Sequence, residues 1–184
     1  MATQEYGPRR SRVTRKPQVQ CPEVVFYRCG VCGRILQQVG CADRVPELFC
    51  CGEKMEVLKP VPAKEMGEGL ALTYQIVGGY NDNAVRVSWK VKEPLVLEWL
   101  YLKTYTGGYM KYLIPGKKPP MVFALADEDA FAYCDESPCL ECVFWCKRGF
   151  VIYGYVQGMG LVELPIDKAN AYWQSGTEHK QTAE

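Results

Sequence analysis

The sequence predicts an all-β protein in which a small cysteine-rich module is followed by a larger antiparallel β-sandwich or barrel. The first observation behind this prediction is that six cysteines lie among short apolar pieces and glycines in residues 21–59. The second is that short apolar segments recur at regular spacing from residue 70 onward, with Gly and Pro between them. A chain of 184 residues has room for two such unequal units.

Charge and hydropathy exclude several classes of partner. The chain has 22 Lys and Arg against 21 Asp and Glu, so it lacks the excess basic charge that attracts nucleic acid or an anionic membrane. No segment approaches the roughly 20 apolar residues that cross a bilayer, and the N-terminus lacks the apolar centre of a secretory signal. We therefore expect a cytoplasmic protein without a nucleic-acid or membrane partner. Residues 1–20 are interpreted as a basic flexible tail, with an organelle transit segment or a weak polyanion contact as alternatives.

The cysteine content indicates metal binding or redox chemistry. The chain has 10 cysteines, and a reducing compartment keeps thiols free. Residues 21–62 form a predicted module that is too short for a self-sufficient core. It therefore requires a metal or disulfides to offset its conformational entropy. Metal binding is the favoured interpretation of the clustered cysteines, and disulfides are the alternative.

The second unit, residues 63–167, is predicted to consist of strands separated by turns. Val85, Val87 and Trp89 alternate along the chain and are expected on one face of their strand. The acidic run at 127–129 is interpreted as a turn, a short helix is expected only at 167–173, and residues 168–184 are interpreted as a tail in which His179 is solvated. The predicted strands are LALTYQIV (70–77), AVRVSW (84–89), PLVLEWLYLKTY (94–105), YMKYLI (109–114), MVFALA (121–126), GFVIYGYVQ (149–157) and GLVELPI (160–166).

Two cysteine pairs in the first module have the pattern of a four-thiolate metal site. Cys29 and Cys32 form a CxxC knuckle in CGVCG, and the adjacent Cys50 and Cys51 follow in FCCGEKM. Two sulfurs from a knuckle and two from a distant pair complete the tetrahedral arrangement favoured by zinc and by a single iron. Cys21 and Cys41, which lie outside this pattern, are interpreted as small buried hydrophobes, with a ligand or disulfide role as the alternative.

Longer stretches around these cysteines carry a family resemblance. FYRCGVCGRILQQVG and LFCCGEKMEVLKP resemble the desulforedoxin-type iron module that opens desulfoferrodoxins, and LEWLYLKTYTGGYMKYLIPGKKPPMVFAL with AFAYC resembles the second domain of that family. The resemblance covers roughly residues 25–150. It implies an immunoglobulin-like β-sandwich for the second unit, one mononuclear four-thiolate iron in the first, and a homodimer. The iron site is expected to be distorted, because adjacent cysteines do not both reach tetrahedral geometry without backbone strain.

The resemblance breaks at the second metal site of the family. There the second domain is a superoxide reductase, whose iron is held by four histidines and one axial cysteine. Cys134 falls at the axial position. The histidine positions fall on Trp89, Leu95 and Ser137, with the fourth near Gly69. Since the chain has one histidine, a four-histidine site cannot form within one subunit, and whether the chain is an enzyme is left open.

The segment YCDESPCLECVFWCKR predicts a second thiolate site near this position. Cys139 and Cys142 form another CxxC, and Cys146 lies one turn beyond Cys142 if the chain coils there. Together with Cys134, these residues suit one iron or one zinc ion, with an iron–sulfur cluster as the alternative.

These motifs lead to three hypotheses about function. The favoured one is a non-haem iron electron-transfer protein that resembles desulfoferrodoxin, acts with a redox partner protein, and carries a cysteine-thiolate site in place of the histidine site. The alternatives are a superoxide reductase with a non-standard iron site and a zinc-stabilised structural or interaction module.

Overall fold

The computed structural model describes residues 23–40, 45–78, 83–104, 106–130, 147 and 149–166, and nearly all of its regular structure is β. No helix in this part of the chain has the length and apolar character that a membrane crossing requires. The elements are β1 (Glu23–Arg28), β2 (Ile35–Gly40), β3 (Phe49–Cys50), β4 (Glu53–Lys54), β5 (Glu56–Leu58), β6 (Val61–Pro62), a 3-10 segment (Ala63–Gly69), β7 (Leu70–Val77), β8 (Ala84–Val91), β9 (Val96–Lys103), β10 (Gly108–Tyr112), β11 (Met121–Ala124), α1 (Asp127–Ala130), β12 (Val151–Gln157) and β13 (Gly160–Pro165).

The N-terminal cysteine-rich region forms a small three-stranded sheet and a separate hairpin. The sheet has the order β2-β1-β5 with antiparallel pairing, and β3 pairs with β4 in the hairpin. Tyr27 and Met55 are buried here beside Cys29, and these three residues form a small core of their own. So few apolar residues supply little hydrophobic stabilisation, as expected for a region that depends on its cysteines.

The rest of the described chain forms two sheets packed face to face. One has the order β10-β9-β12-β13-β6, in which only the β13–β6 pair is parallel, and the other has the order β11-β8-β7. Val85, Val87 and Trp89 of β8 are buried between the sheets, as their alternation predicted. The predicted all-β class is confirmed.

The five-stranded sheet is buried on both faces. Along β9, Leu100 and Leu102 face the three-stranded sheet, whereas Trp99 and Tyr101 face the N-terminal module. Because successive side chains of a strand point to opposite faces, apolar residues at consecutive positions indicate a strand with neighbours on both sides. The described part of the chain is therefore built in three layers, with the five-stranded sheet in the middle.

Phe26 of β1 joins the N-terminal module to the middle sheet. Its side chain is 0% exposed, and its ring centroid lies 5.0 Å from Trp99, 5.2 Å from Tyr101 and 5.7 Å from Tyr153. Trp99 in turn stacks on Tyr155, with centroids 5.7 Å apart and ring planes 11° apart. This aromatic cluster fixes the position of β1, and therefore of the knuckle that follows it, on the outer face of the middle sheet.

The acidic run at 127–129, interpreted from the sequence as a turn, begins the short helix α1. Asp129 is buried and accepts hydrogen bonds from the backbone N–H of Thr106 at 3.2 Å and from its hydroxyl at 2.7 Å, which explains why the carboxylate turns inward. The helix predicted at 167–173 and both terminal tails lie outside the described residues.

Candidate metal centre

The CxxC knuckle begins where β1 ends. The backbone N–H of Cys29 donates to the carbonyl of Arg34 at 2.9 Å, and the N–H of Gly33 donates to the carbonyl of Cys29 at 3.0 Å. The N–H of Cys32 points to the Cys29 sulfur at 3.5 Å. These bonds hold the loop in a tight turn that places both cysteine side chains on the same side.

The second cysteine pair lies on the β3–β4 hairpin. Its two-residue loop is Cys51–Gly52, and both residues have positive φ, 52° and 81° respectively. Two central residues with positive φ define a type I′ turn, which matches the twist of a two-residue hairpin. A cysteine rarely adopts this left-handed conformation, so Cys51 carries backbone strain, as expected for adjacent cysteines that share one site.

The four sulfur atoms of these cysteines converge. All lie within 4.8 Å of one another, and the Cys50 sulfur is 3.7 Å from that of Cys32 and 3.9 Å from that of Cys51. The four thiols are free, so the disulfide alternative is wrong for them. A tetrahedral metal with metal–sulfur bonds of about 2.3 Å has sulfurs about 3.8 Å apart, so the two short distances fit such a site. The all-sulfur donor set suits zinc or iron rather than calcium or magnesium.

The thiols differ in acidity. A backbone hydrogen bond from Arg34, with further bonds from neighbouring thiols, lowers the pKa of Cys32 to about 7. Hydrogen bonding with Cys32 raises the pKa of Cys50, and it raises the pKa of Cys51 to about 12. Cys32 therefore ionises before the adjacent pair, and a bound cation must displace protons from that pair.

One side of the cysteine group faces solvent. Cys29 is buried, whereas Cys32 and Cys51 are exposed. Two large apolar side chains flank the exposed sulfurs in sequence, Val31 at 60% exposure and Phe49 at 66%. A partner molecule can therefore approach within a short distance of the sulfurs without a change in the fold.

The structure does not describe the predicted second thiolate site. Its residues, Cys134, Cys139, Cys142 and Cys146, lie outside the described part of the chain, as do Cys21 and Cys41. The structure does describe Lys147, which follows the last of these cysteines. Its side chain is buried and its Nζ donates to the carbonyl of Ala130 at 2.5 Å, although lysine side chains are usually exposed.

Three of the positions that the resemblance assigns to histidines have apolar surroundings, and the fourth, Ser137, lies outside the described residues. Trp89 is buried in the sandwich core, and Leu95 packs against the same core. A Cβ at Gly69 would lie 3.1 Å from the terminal methyl of Met159 and 3.5 Å from Leu95. Trp89 and Leu95 also line a cavity of about 740 Å³. Among the described residues, these positions offer no metal-ligating side chain.

Sequence reasoning missed the polar contact between the knuckle and the middle sheet. Arg28, the residue before Cys29, forms an ion pair with Glu98 at 2.9 Å and lies over the ring of Tyr155, 4.5 Å from its centroid. The side chain of Gln37 donates to the Tyr101 hydroxyl at 2.9 Å. The order FYRC, with an aromatic residue two positions before the arginine, was the available signal, because both side chains then leave the same face of β1.

Comparison with known proteins gives two similarities. No protein-family model matches the chain. Desulfoferrodoxin of Nitratidesulfovibrio vulgaris (strain Hildenborough) is 27% identical over 113 residues, which cover 60% of this chain and 88% of that protein. The crystal structure of the superoxide reductase from Treponema pallidum has the same fold, with a TM-score of 0.54 and 14% sequence identity over 77% of this chain and 98% of that one. The resemblance of this chain to the desulfoferrodoxin and superoxide reductase family is therefore confirmed, by sequence through the first protein and by fold through the second.

Proposed function

We propose that this chain is a non-haem iron redox protein that transfers single electrons through the centre formed by Cys29, Cys32, Cys50 and Cys51. The observation that carries the proposal is the convergence of four free sulfurs within 4.8 Å, in a chain similar to a desulfoferrodoxin. Iron bound by four thiolates would supply a one-electron couple with small geometric change. The protein would bind the metal through residues 21–62 and present it on the sandwich of residues 63–167.

The chain's own residues support electron transfer in three ways. The sulfurs of Cys32 and Cys51 are exposed, so an electron has a short path between this centre and a redox partner protein. Tyr27 and Met55 exclude water from the opposite side of the centre, next to Cys29. The fixed turns of the knuckle and hairpin hold the sulfurs in place, so little reorganisation accompanies a change of charge. Free thiols of this kind fit a cytoplasmic location, and the resemblance favours a homodimer.

We further propose that the histidine site of the family is absent and that a thiolate site at Cys134, Cys139, Cys142 and Cys146 replaces it. The apolar environment of Trp89 and Leu95 supports the loss of the histidine site. It also argues against the alternative of a superoxide reductase with a non-standard iron site. The replacement site would hold iron, zinc or an iron–sulfur cluster. Metal analysis and a visible spectrum distinguish these three.

Zinc is the second candidate for the first centre, because a tetrahedral four-sulfur site fits zinc as well as iron. Metal analysis and a visible spectrum of protein purified without air separate the two. Iron with thiolate charge-transfer colour that bleaches on reduction supports the redox function. A colourless protein that contains only zinc contradicts it and supports a structural or interaction module.

Variants assign each site. Cys32→Ser and Cys51→Ser should each remove the metal of the first centre, whereas Val31→Ala, an exposed change inside the same knuckle, should retain it. Cys134→Ala should lower the metal content through the second site alone. Unchanged metal content in Cys134→Ala contradicts the second site without affecting the first.

A further inference from the structure

Arg28 binds to the middle sheet and lies beside the knuckle that follows it in the chain. Its guanidinium donates to both carboxylate oxygens of Glu98, at 2.9 Å and 3.4 Å, and lies 4.5 Å from the ring centroid of Tyr155. It also lies against the knuckle, since a Cβ built on Gly33 would be 3.4 Å from its Nη2. The charge is therefore held beside the loop that carries Cys29 and Cys32.

Glu98 reaches this arginine because of a β-bulge. In the β9–β12 pairing the register passes from Trp99 opposite Tyr155 to Leu97 opposite Val156, which leaves Glu98 as the extra residue. Without the bulge, strict alternation would place Glu98 on the same face as Leu100, in the apolar core. The bulge instead puts Leu97 in that core and Glu98 beside Arg28.

The pair is only partly screened by solvent. The side chains of Arg28 and Glu98 are 20% and 27% exposed, so their charges act on nearby groups more strongly than charges on fully exposed side chains. A four-thiolate iron centre has a net negative charge that increases by one on reduction. A neighbouring positive charge stabilises the reduced form, and a negative charge stabilises the oxidised form.

The geometry points to Arg28 and Glu98 as residues that set the reduction potential of the four-cysteine centre in opposite directions. Arg28 raises the potential. The negative charge of Glu98 lowers it, and the same side chain holds the guanidinium beside the knuckle. The inference rests on the proposed iron redox function of the first centre. Neither residue binds the metal, so both are positioning residues that act on the centre through charge.

The test is a spectroelectrochemical titration of the iron-loaded full chain and three variants. Arg28→Gln should lower the midpoint potential and Glu98→Gln should raise it. Each shift should correspond to a change of about three- to tenfold in the equilibrium constant between the two oxidation states. Arg28→Lys keeps the charge and should remain close to the unmodified protein. The differences should shrink at high ionic strength because of screening.

The opposite signs separate this proposal from a structural role. Both glutamine variants break the same ion pair, so a merely structural effect would move both potentials in the same direction or leave both unchanged, and either result overturns the proposal. If Arg28→Gln does not fold, the sign of the Glu98→Gln shift decides, and a decrease or no change overturns it. Failure of the proposed function would be seen separately, as protein that contains no iron.

Discussion

The Phe26→Ala variant tests whether the aromatic cluster holds the N-terminal module on the middle sheet. Phe26 is fully buried and makes three ring contacts, with centroid distances of 5.0 Å, 5.2 Å and 5.7 Å. Truncation of a buried Phe to Ala typically costs about 3–5 kcal/mol, a total that already contains aromatic contacts of roughly 0.5–1.5 kcal/mol each. We expect the free energy of unfolding to fall by about 3–5 kcal/mol.

The assay is urea denaturation followed by far-ultraviolet circular dichroism, with metal release measured in parallel. Phe49→Ala is the matched control, because Phe49 is 66% exposed and its removal should change the free energy of unfolding by less than about 0.5 kcal/mol. Phe123→Ala, a buried change in the core between the two large sheets, should destabilise the sandwich directly. A loss below about 1 kcal/mol for Phe26→Ala, or one equal to that of Phe49→Ala, would refute the argument that this cluster fixes the module.

Three further predictions follow from the described contacts. Gly108→Ala should destabilise the protein by about 1–3 kcal/mol in thermal denaturation, because its Cβ would lie 2.7 Å from the Leu102 carbonyl oxygen. Gly30→Ala is the control and should change the stability little, since no atom lies within 4 Å of its Cβ. Equal effects of the two substitutions would contradict the prediction. Asp129→Asn should lower the stability by about 1–3 kcal/mol in the same measurement, because it weakens both hydrogen bonds from Thr106. Glu65→Gln, at an exposed position, is its control. An Asp129→Asn variant as stable as the unmodified protein would show that the buried carboxylate is unimportant. Removal of the metal by a chelator should increase hydrogen exchange in β1, β2 and β5 more than in β8 and β9, since only the first group depends on the cysteines. A uniform increase in exchange would argue against a metal-dependent module.

The strands of the sandwich were predictable because their signals are local. The predicted strand 70–77 has the same bounds as β7, since its apolar residues alternate and a glycine follows it. The two cysteine pairs were predictable for the same reason, because a CxxC turn and a two-residue hairpin each set their geometry within a few residues. The all-β class followed from the repetition of such segments.

What escaped prediction depends on contacts between distant segments. Val61 and Pro62 end the stretch predicted as the cysteine-rich module, yet they pair in parallel with β13 about a hundred residues later, and local sequence carries no signal for that pairing. The position of Glu98 depends on a bulge that appears only when β9 meets β12. Lysine side chains are usually exposed, so local sequence gives no sign that tertiary packing buries Lys147.

The contribution of β12 and β13 to the aromatic cluster has a consequence for the order of events during synthesis. Tyr153, Tyr155 and Leu161 contact the layer that contains Phe26, although residues 151–165 lie at the other end of the described chain. Residues 23–58 leave the ribosome first, but the surface on which they rest is complete only after the last two strands emerge. Until then the four thiols lack a complete sandwich behind them, so a ribosome stalled before residue 151 would carry the cysteine-rich module without its support.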